Sequence, residues 1–286
     1  MLVFVHINKT AGSTVRYILR SSYGARHCDV EPWHSGRDDP FSTRDLARLR
    51  RIYPRLASIA GHRVTGYAEI REPGTEFAYF TFLRDPLKLC ASRFQYHVDH
   101  RKKTHLVFEE WIQQDWLRNA QTQRIAGTQN VDDAIRVIGE REMFVGLTER
   151  FDESMVLLKA LRAGDLDIGY APVNVAKKSS IASTLLTDER SRGALVDANG
   201  ADLALYEYVT RELYPGFERD FGDDLADAVA EYRRDRRQSF NRRNLTVSRM
   251  KRHGLYRPLL RLYRSRGTGG ALERLLDRPQ RTDNPV

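Results

Sequence analysis

The sequence predicts an α/β protein with a central, mostly parallel β-sheet and a basic, largely helical C-terminal extension. Up to about residue 220, short apolar runs alternate with longer helical patterns, which is the arrangement of βαβ units. The 286 residues are enough for one large domain with an appendage, and a hydrophobic content of 41% fits a buried core. Beyond about residue 230 the chain becomes rich in arginine, which marks the extension.

The first predicted strand, residues 2–7, ends abruptly in the polar run NKTAGST, and a helix is predicted over residues 12–23. A strand, a tight turn and a helix N-terminus together form an anion cradle. Free backbone N–H groups and the positive end of the helix dipole meet there. The common nucleotide-binding loop, GxxxxGK[ST], places its lysine after the second glycine. Here Lys9 precedes Gly12, so the anion need not belong to ATP.

The later elements follow from similar patterns. Residues 77–83, FAYFTFL, are the most strand-like run, and Pro86 fits the first turn of the helix that follows. Residues 164–186 are predicted to be rich in loops. The other predicted strands are 56–60 and 143–147, and the other predicted helices are 43–50, 107–118, 131–140, 152–162 and 201–213.

A second polar stretch, TFLRDPLKLCASRF at residues 81–94, also follows a predicted strand. The strand delivers Arg84 at its end, and the next helix carries Ser92 toward the same side. Ligands of parallel α/β sheets bind beyond the carboxyl ends of the strands. We therefore expect the two polar loops to open onto one crevice.

Composition excludes several classes of protein. Cys28 and Cys90 alone indicate neither a disulfide framework nor a zinc site. The sequence has no apolar run of about 18 residues, and its opening apolar stretch is too short for a secretory signal. We expect a cytoplasmic protein, with a peripheral position on the inner face of the membrane as a variant. Residues 231–286 hold 16 Lys and Arg against 5 Asp and Glu, so the net charge of +9 belongs to the extension.

The two polar stretches together resemble the sulfotransferase superfamily that uses 3′-phosphoadenosine 5′-phosphosulfate (PAPS). NKTAGST looks like its 5′-phosphosulfate loop, and FLRDPLKLCASRF looks like its 3′-phosphate motif. AGHRVTG, NAQTQRIAG, FVGLTERFDESMVLL and VNVAKKS are similar to the carbohydrate O-sulfotransferase branch, which includes the heparan sulfate 2-O enzymes. The resemblance covers about residues 1–215. It implies a P-loop-type three-layer domain at 1–225, followed by the extension at 226–286.

The resemblance also implies a role for individual residues. Lys9 would contact the 5′-phosphosulfate and assist catalysis, and His62 would be the base that accepts the proton of the acceptor hydroxyl. No metal is implied, because a sulfuryl group carries less charge than a phosphoryl group. The implied donor-binding residues are Lys9, Thr10, Ala11, Gly12, Ser13 and Thr14 in the first loop, Arg84 and Ser92 in the second, and Lys177, Lys178 and Ser179 in a third.

Some assignments around the acceptor stay open. Related glycan enzymes can show a second histidine two residues before the base, where this sequence has Ala60. A metal at His97 and His100 lacks an evident third ligand. Trp33 is a candidate for stacking on a sugar ring. The alternative bases are Glu31, Glu69, His34 and His97.

Three functional hypotheses follow. The first is a PAPS-dependent O-sulfotransferase that acts on a hydroxyl of a carbohydrate or glycolipid. The second is a P-loop small-molecule kinase, which would need ATP and Mg²⁺. The third is a non-catalytic protein that binds a polyanion through residues 231–286. This tail could instead contact an anionic membrane surface, or be a solvated, partly disordered extension. Nucleic acid is not an expected partner.

Overall fold

The core of the protein is a five-stranded sheet in which every pair of neighbouring strands is parallel. The computed structural model describes residues 1–31, 33, 39–100, 105–170, 180–235, 240–265 and 276. The prediction of an α/β fold with a central parallel sheet is confirmed. The strands are β1 (Leu2–Val5), β2 (His27–Asp29), β3 (Ser58–Gly61), β4 (Ala78–Leu83) and β5 (Phe144–Leu147), in the order β2-β3-β1-β4-β5.

Helices make up most of the rest of the described chain. They are α1 (Gly12–Tyr23), α2 (Thr43–Ile52), α3 (Pro86–His100), α4 (Phe108–Trp111), α5 (Ala120–Ala126), α6 (Val131–Glu140), α7 (Phe151–Arg162), α8 (Ser180–Thr187), α9 (Glu189–Ala198), α10 (Gly200–Tyr208), α11 (Tyr214–Phe221), α12 (Leu225–Asp235), α13 (Arg242–Lys251) and α14 (Arg257–Ser265). The π-helical segment Val209–Leu213 joins α10 to α11, and Arg252–Tyr256 joins α13 to α14.

The structure corrects three predicted elements. Strand β2 was not predicted, because HCD is only three residues long and largely polar. The helix predicted over 107–118 is the single turn α4, since the chain then bends to bury Leu117 as well as Trp111. The end of the predicted loop 164–186 is instead the helix α8.

Strand register decides which side chains meet at the carboxyl edge of the sheet. The strands are buried on both faces, as expected for a parallel sheet with helices on either side. In the register, Val5 of β1 is level with Gly61 of β3 and with Thr81 of β4. The residues that follow these strands therefore emerge at the same edge.

The C-terminal helices pack onto this domain rather than extending into solvent. Tyr256 is fully buried, and its hydroxyl donates to the backbone oxygen of Glu31 at 3.0 Å and accepts from the Glu31 N–H at 2.9 Å. Arg252 and Arg257 both bind the Glu31 carboxylate, at 2.9 and 2.8 Å. The description of the tail as a solvated extension is therefore wrong for residues 240–265. A domain boundary between residues 225 and 226 stays a prediction.

Trp33 lies in this packed region and not in a sugar-binding site. Its ring lies 6.0 Å from that of Tyr256 and 5.3 Å from that of Tyr263, both in edge-on contacts. Only 1% of its surface is exposed. The prediction that Trp33 stacks on a sugar is therefore wrong, because the C-terminal helix covers the ring.

The packing of the tail predicts a contrast between two leucines on α14. Leu260 is buried, at 1% exposure, whereas Leu262 is 37% exposed. We expect Leu260→Ala to lower the free energy of unfolding by about 2–5 kcal/mol, because it leaves a cavity. Leu262→Ala should change it by less than about 0.5 kcal/mol. Urea unfolding followed by circular dichroism measures both. Equally small changes would contradict the packed arrangement.

Candidate active site

The loop between β1 and α1 leaves a row of backbone N–H groups without acceptors. Lys9 and Ala11 adopt left-handed backbone conformations, with φ of 71° and 60°, which side-chain-bearing residues rarely take. The buried Thr10 hydroxyl donates to the Ile7 carbonyl at 3.0 Å and fixes this turn. No described residue accepts a hydrogen bond from the N–H groups of residues 9–13. These groups converge on the N-terminus of α1, which makes the loop an anion site.

Two features keep this site open for an anion. The first turn of α1 holds no acidic residue, and no side chain caps its N-terminus. Gly12 lies directly beneath the ring of His6, where an added Cβ would stand 1.9 Å from Nε2. Any larger residue at position 12 would therefore displace the histidine or the loop.

Arg84 and Lys9 meet at this loop, as the sequence predicted. A terminal guanidinium nitrogen of Arg84 donates to the backbone oxygen of Lys9 at 3.2 Å. The Lys9 ammonium lies 4.8 Å from the centre of the Tyr96 ring, a cation–π contact. Burial, followed by the nearby Arg84 charge, lowers the pKa of Lys9. The loop therefore concentrates positive charge with no carboxylate to neutralise it.

A buried network holds the Arg84 backbone in place, and sequence reasoning missed its extent. The side chain of Gln121 accepts from the Arg84 N–H at 3.0 Å and donates to the Arg84 oxygen at 2.9 Å. Asp202 in turn accepts from the N–H groups of Gln121 and Thr122, at 3.0 and 2.7 Å. The motif NAQTQRIAG marked one half of this network. Nothing local in the sequence indicated that Asp202, about 80 residues later, completes it.

His62 follows β3, as predicted, and it lies against a second histidine. The rings of His62 and His6 stack with centroids 4.2 Å apart. The sequence suggested that no second histidine was present, because Ala60 stands at the expected position. His6 supplies the ring from the adjacent strand instead, since Val5 pairs with Gly61 and the next residues lie level. That pairing was the signal that could have identified it.

The surroundings of His62 favour its neutral form. Crowding of the ring by protein, followed by the charges of Arg124 and Arg16, lowers the pKa of His62 to about 4, and a hydrogen bond with the His6 backbone opposes the shift. Arg124 also donates a hydrogen bond to the His62 carbonyl. The residue as a whole remains exposed. At neutral pH, His62 is therefore an accessible base with a free lone pair.

The remaining predicted donor residues are placed less closely. Ser13 is exposed and Thr14 is buried in the first turn of α1. Ser92 is partly exposed on α3, and no contact joins it to Arg84 in the described part of the chain. The predicted residues Lys177, Lys178 and Ser179 lie outside the described residues, as do His34 and the His100 side chain.

The other candidate bases are engaged elsewhere. The Glu31 carboxylate binds Arg252 and Arg257, and Glu69 pairs with Arg71. His97 accepts a hydrogen bond at Nδ1 from Trp111 Nε1 at 3.0 Å. His62 is the candidate base that lies beside the anion loop.

Three further observations bound the site. Over the described ranges, no group of three or more His, Cys, Asp or Glu residues is arranged to hold a metal ion. Every helix in those ranges is too short or too polar to cross a bilayer. A cavity of about 510 Å³ lies at the opposite, amino-terminal edge of the sheet, next to Tyr23 and Arg50, and belongs to neither polar loop.

Comparison with known proteins relates the chain to carbohydrate O-sulfotransferases. Galactosylceramide sulfotransferase of Mus musculus is 28% identical over 264 residues, which cover 81% of this chain and 61% of that protein. Galactose-3-O-sulfotransferase 3 of Mus musculus is 26% identical over 272 residues, or 85% and 62% of the two chains. Galactosylceramide sulfotransferase of Homo sapiens is 28% identical over 210 residues, or 63% and 49%.

These matches confirm the resemblance to carbohydrate O-sulfotransferases. The chain spans about three fifths of the length of the mouse relatives. No family model matches the chain, and no solved structure matches it. The finer likeness to the heparan sulfate 2-O enzymes stays a prediction.

The charges around His62 predict a pKa shift in a single variant. In Arg124→Gln the positive charge beside the imidazole is lost, so its protonated form is penalised less. We expect the pKa of His62 to rise from about 4 toward the ordinary value of 6.5. NMR titration of the histidine ring protons measures it. Arg136→Gln, on the exposed face of α6, is the control and should leave it unchanged. An unchanged pKa in Arg124→Gln would contradict this electrostatic account.

Proposed function

We propose that the protein is a PAPS-dependent O-sulfotransferase that forms a sulfate ester on a hydroxyl of a carbohydrate or glycolipid. One observation carries the proposal. The unpaired N–H groups of residues 9–13 lie beside Lys9 and the Arg84 guanidinium, with no acidic residue in the first turn of α1. This arrangement suits a ligand with several negative charges. The relatedness to carbohydrate sulfotransferases gives that ligand its proposed identity.

The residues of the two loops fit the two ends of such a donor. The N–H groups of residues 9–13, with the hydroxyls of Ser13 and Thr14, would hold the 5′-phosphate. Arg84, together with Ser92, would hold the 3′-phosphate, because a forked guanidinium matches a phosphate dianion. Residues 177–179 are proposed as a further part of the donor site. When bound, PAPS supplies an activated sulfuryl group, whose S–O bond to the 5′-phosphate breaks on transfer.

His62 is the proposed base for the acceptor hydroxyl. A lowered pKa keeps its imidazole unprotonated at neutral pH, so a lone pair is available for the proton. Negative charge brought to the site by a donor would offset Arg16 and Arg124, and would raise the basicity of His62 where it is needed. His6 is a positioning residue, because its buried ring stacks on His62 and limits how that ring can turn.

Lys9 is the proposed group that stabilises the leaving bisphosphate. Its ammonium is partly desolvated and placed in the loop by the left-handed turn at the same residue. As the bond to sulfur breaks, negative charge grows on the departing oxygen, and a fixed cation in a poorly hydrated site stabilises that charge. The balance is complete without a metal: the hydroxyl proton goes to His62 and the electron pair to the bisphosphate.

The acceptor proposal comes from the relatives. Their names specify galactosylceramide and galactose as acceptors. We propose that this chain sulfates a galactose-bearing glycan or glycolipid. The cytoplasmic location expected from the sequence stays a prediction.

The proposal predicts that donor binding and turnover separate in three variants. Lys9→Ala and Arg84→Ala should each weaken binding of adenosine 3′,5′-bisphosphate by about 10- to 100-fold, because each removes a charged contact. His62→Ala should bind it normally but lose about 10²- to 10⁴-fold in turnover, since the base is missing. Calorimetry measures binding. Sulfate transfer from PAPS to galactosylceramide measures turnover.

Controls make the result specific. Lys159→Ala and Arg136→Ala remove exposed charges far from the loops and should leave both readouts unchanged. Glucosylceramide, which differs from galactosylceramide at one hydroxyl, should be a poor acceptor. Tighter binding of ATP–Mg²⁺ than of the bisphosphate would favour the kinase hypothesis. Normal turnover of His62→Ala would remove His62 as the base.

A further inference from the structure

The C-terminal helix exposes a face that is free of negative charge. This face, called here the basic face, consists of the exposed residues of α13, the π-helical segment and α14 between residues 242 and 265. The segment 242–265 holds eight Lys and Arg, and the sequence has no Asp or Glu from residue 236 to 272. Arg252 and Arg257 turn inward to Glu31, whereas Arg243, Arg249 and Arg261 are exposed.

Apolar side chains lie among these exposed arginines. Met250 is 67% exposed, Leu255 43%, Leu262 37% and Val247 36%. They form most of the large exposed apolar side chains of the described chain, which otherwise hides its leucines and valines well. The opposite side of the same helix buries Tyr256, Leu260 and Tyr263 in the core. The exposure is therefore not that of a loose helix, because the helix is already anchored by its inner face.

The basic face extends to the edge of the sheet that carries the active site. At its start, Asn241 N–H and Asn244 Nδ2 donate to Ser21 at 2.7 and 2.8 Å, near the C-terminal end of α1. Further along, Arg257 binds Glu31, just beyond the carboxyl end of β2. The helix therefore runs antiparallel to α1 and ends near the edge where α1 begins with the anion loop.

We propose that the basic face docks the protein onto an anionic phospholipid bilayer. Arginines attract the negative headgroups, and Met250, Leu255 and Leu262 enter the boundary with the acyl chains, as in interfacial amphipathic helices. A soluble polyanion would use the charges but would gain nothing from the exposed apolar side chains. If the proposed function holds, docking brings the crevice to a glycolipid acceptor; the docking itself does not depend on it.

The test is co-sedimentation of the full chain with vesicles that contain neither glycolipid nor sulfate donor. Vesicles of phosphatidylcholine with 30% phosphatidylglycerol should bind the protein at physiological salt, and pure phosphatidylcholine should not. The triple variant Arg243→Gln, Arg249→Gln, Arg261→Gln should bind roughly 100-fold more weakly, at about 1 kcal/mol per basic residue. The control Arg136→Gln, Arg190→Gln, Arg192→Gln removes the same charge from exposed positions elsewhere and should bind as wild type does.

A second variant distinguishes a membrane from a soluble polyanion. Met250→Ser with Leu255→Ser should weaken vesicle binding at least 10-fold and leave binding to a heparin column unchanged. Circular dichroism melting confirms that each variant is folded. Absence of binding to anionic vesicles would overturn the proposal, as would equal binding by the two triple variants. Unchanged vesicle binding by the serine variant would assign the face to polyanions instead. All of these results are independent of sulfotransferase activity.

Discussion

The arrangement of the site depends on the backbone turn between β1 and α1. Two side-chain-bearing residues, Lys9 and Ala11, adopt left-handed conformations there, and the cost of such conformations is of the order of 1–3 kcal/mol each. The result is a row of N–H groups that no described residue accepts. Thr10 holds the turn from inside, and Gly12 allows the His6 ring to lie against it. Strain of this kind is retained where an anion offsets it, so the turn links the fold to the proposed binding of a donor.

The second constraint is the parallel register of β1 with β3. It brings His6 level with His62, and the stacked pair lies next to the anion loop because β1 leads directly into that loop. The third contribution is Arg84, which β4 delivers on the other side of β1. Its backbone is held through Gln121 by the buried Asp202. Burial raises the pKa of Asp202 while hydrogen bonds from Thr122 and Gln121 oppose that shift, as expected of a carboxylate enclosed by its own donors.

Much of this site follows from short stretches of sequence. NKTAGST and FLRDP each combine a strand end, a turn and a helix start within a few residues, so local rules place Lys9 and Arg84 correctly. His6 and Asp202 depend on strand register and on a contact across some 80 residues, which no local pattern contains. The same reason explains the error about Trp33. Its aromatic ring suggested a sugar platform, whereas a helix more than 200 residues later covers it. The charge of the tail was evident, but its burial through Tyr256 and Leu260 was not.

The central claim is that the N–H groups of residues 9–13 bind the phosphate of the donor. The most direct measurement is the change in backbone amide NMR shifts as adenosine 3′,5′-bisphosphate is added to ¹⁵N-labelled protein. The account predicts that the largest changes occur at the amides of residues 9–13 and at Arg84. Unchanged amides there would contradict it, most clearly if the shifts moved instead to the basic face or to the cavity beside Tyr23 and Arg50.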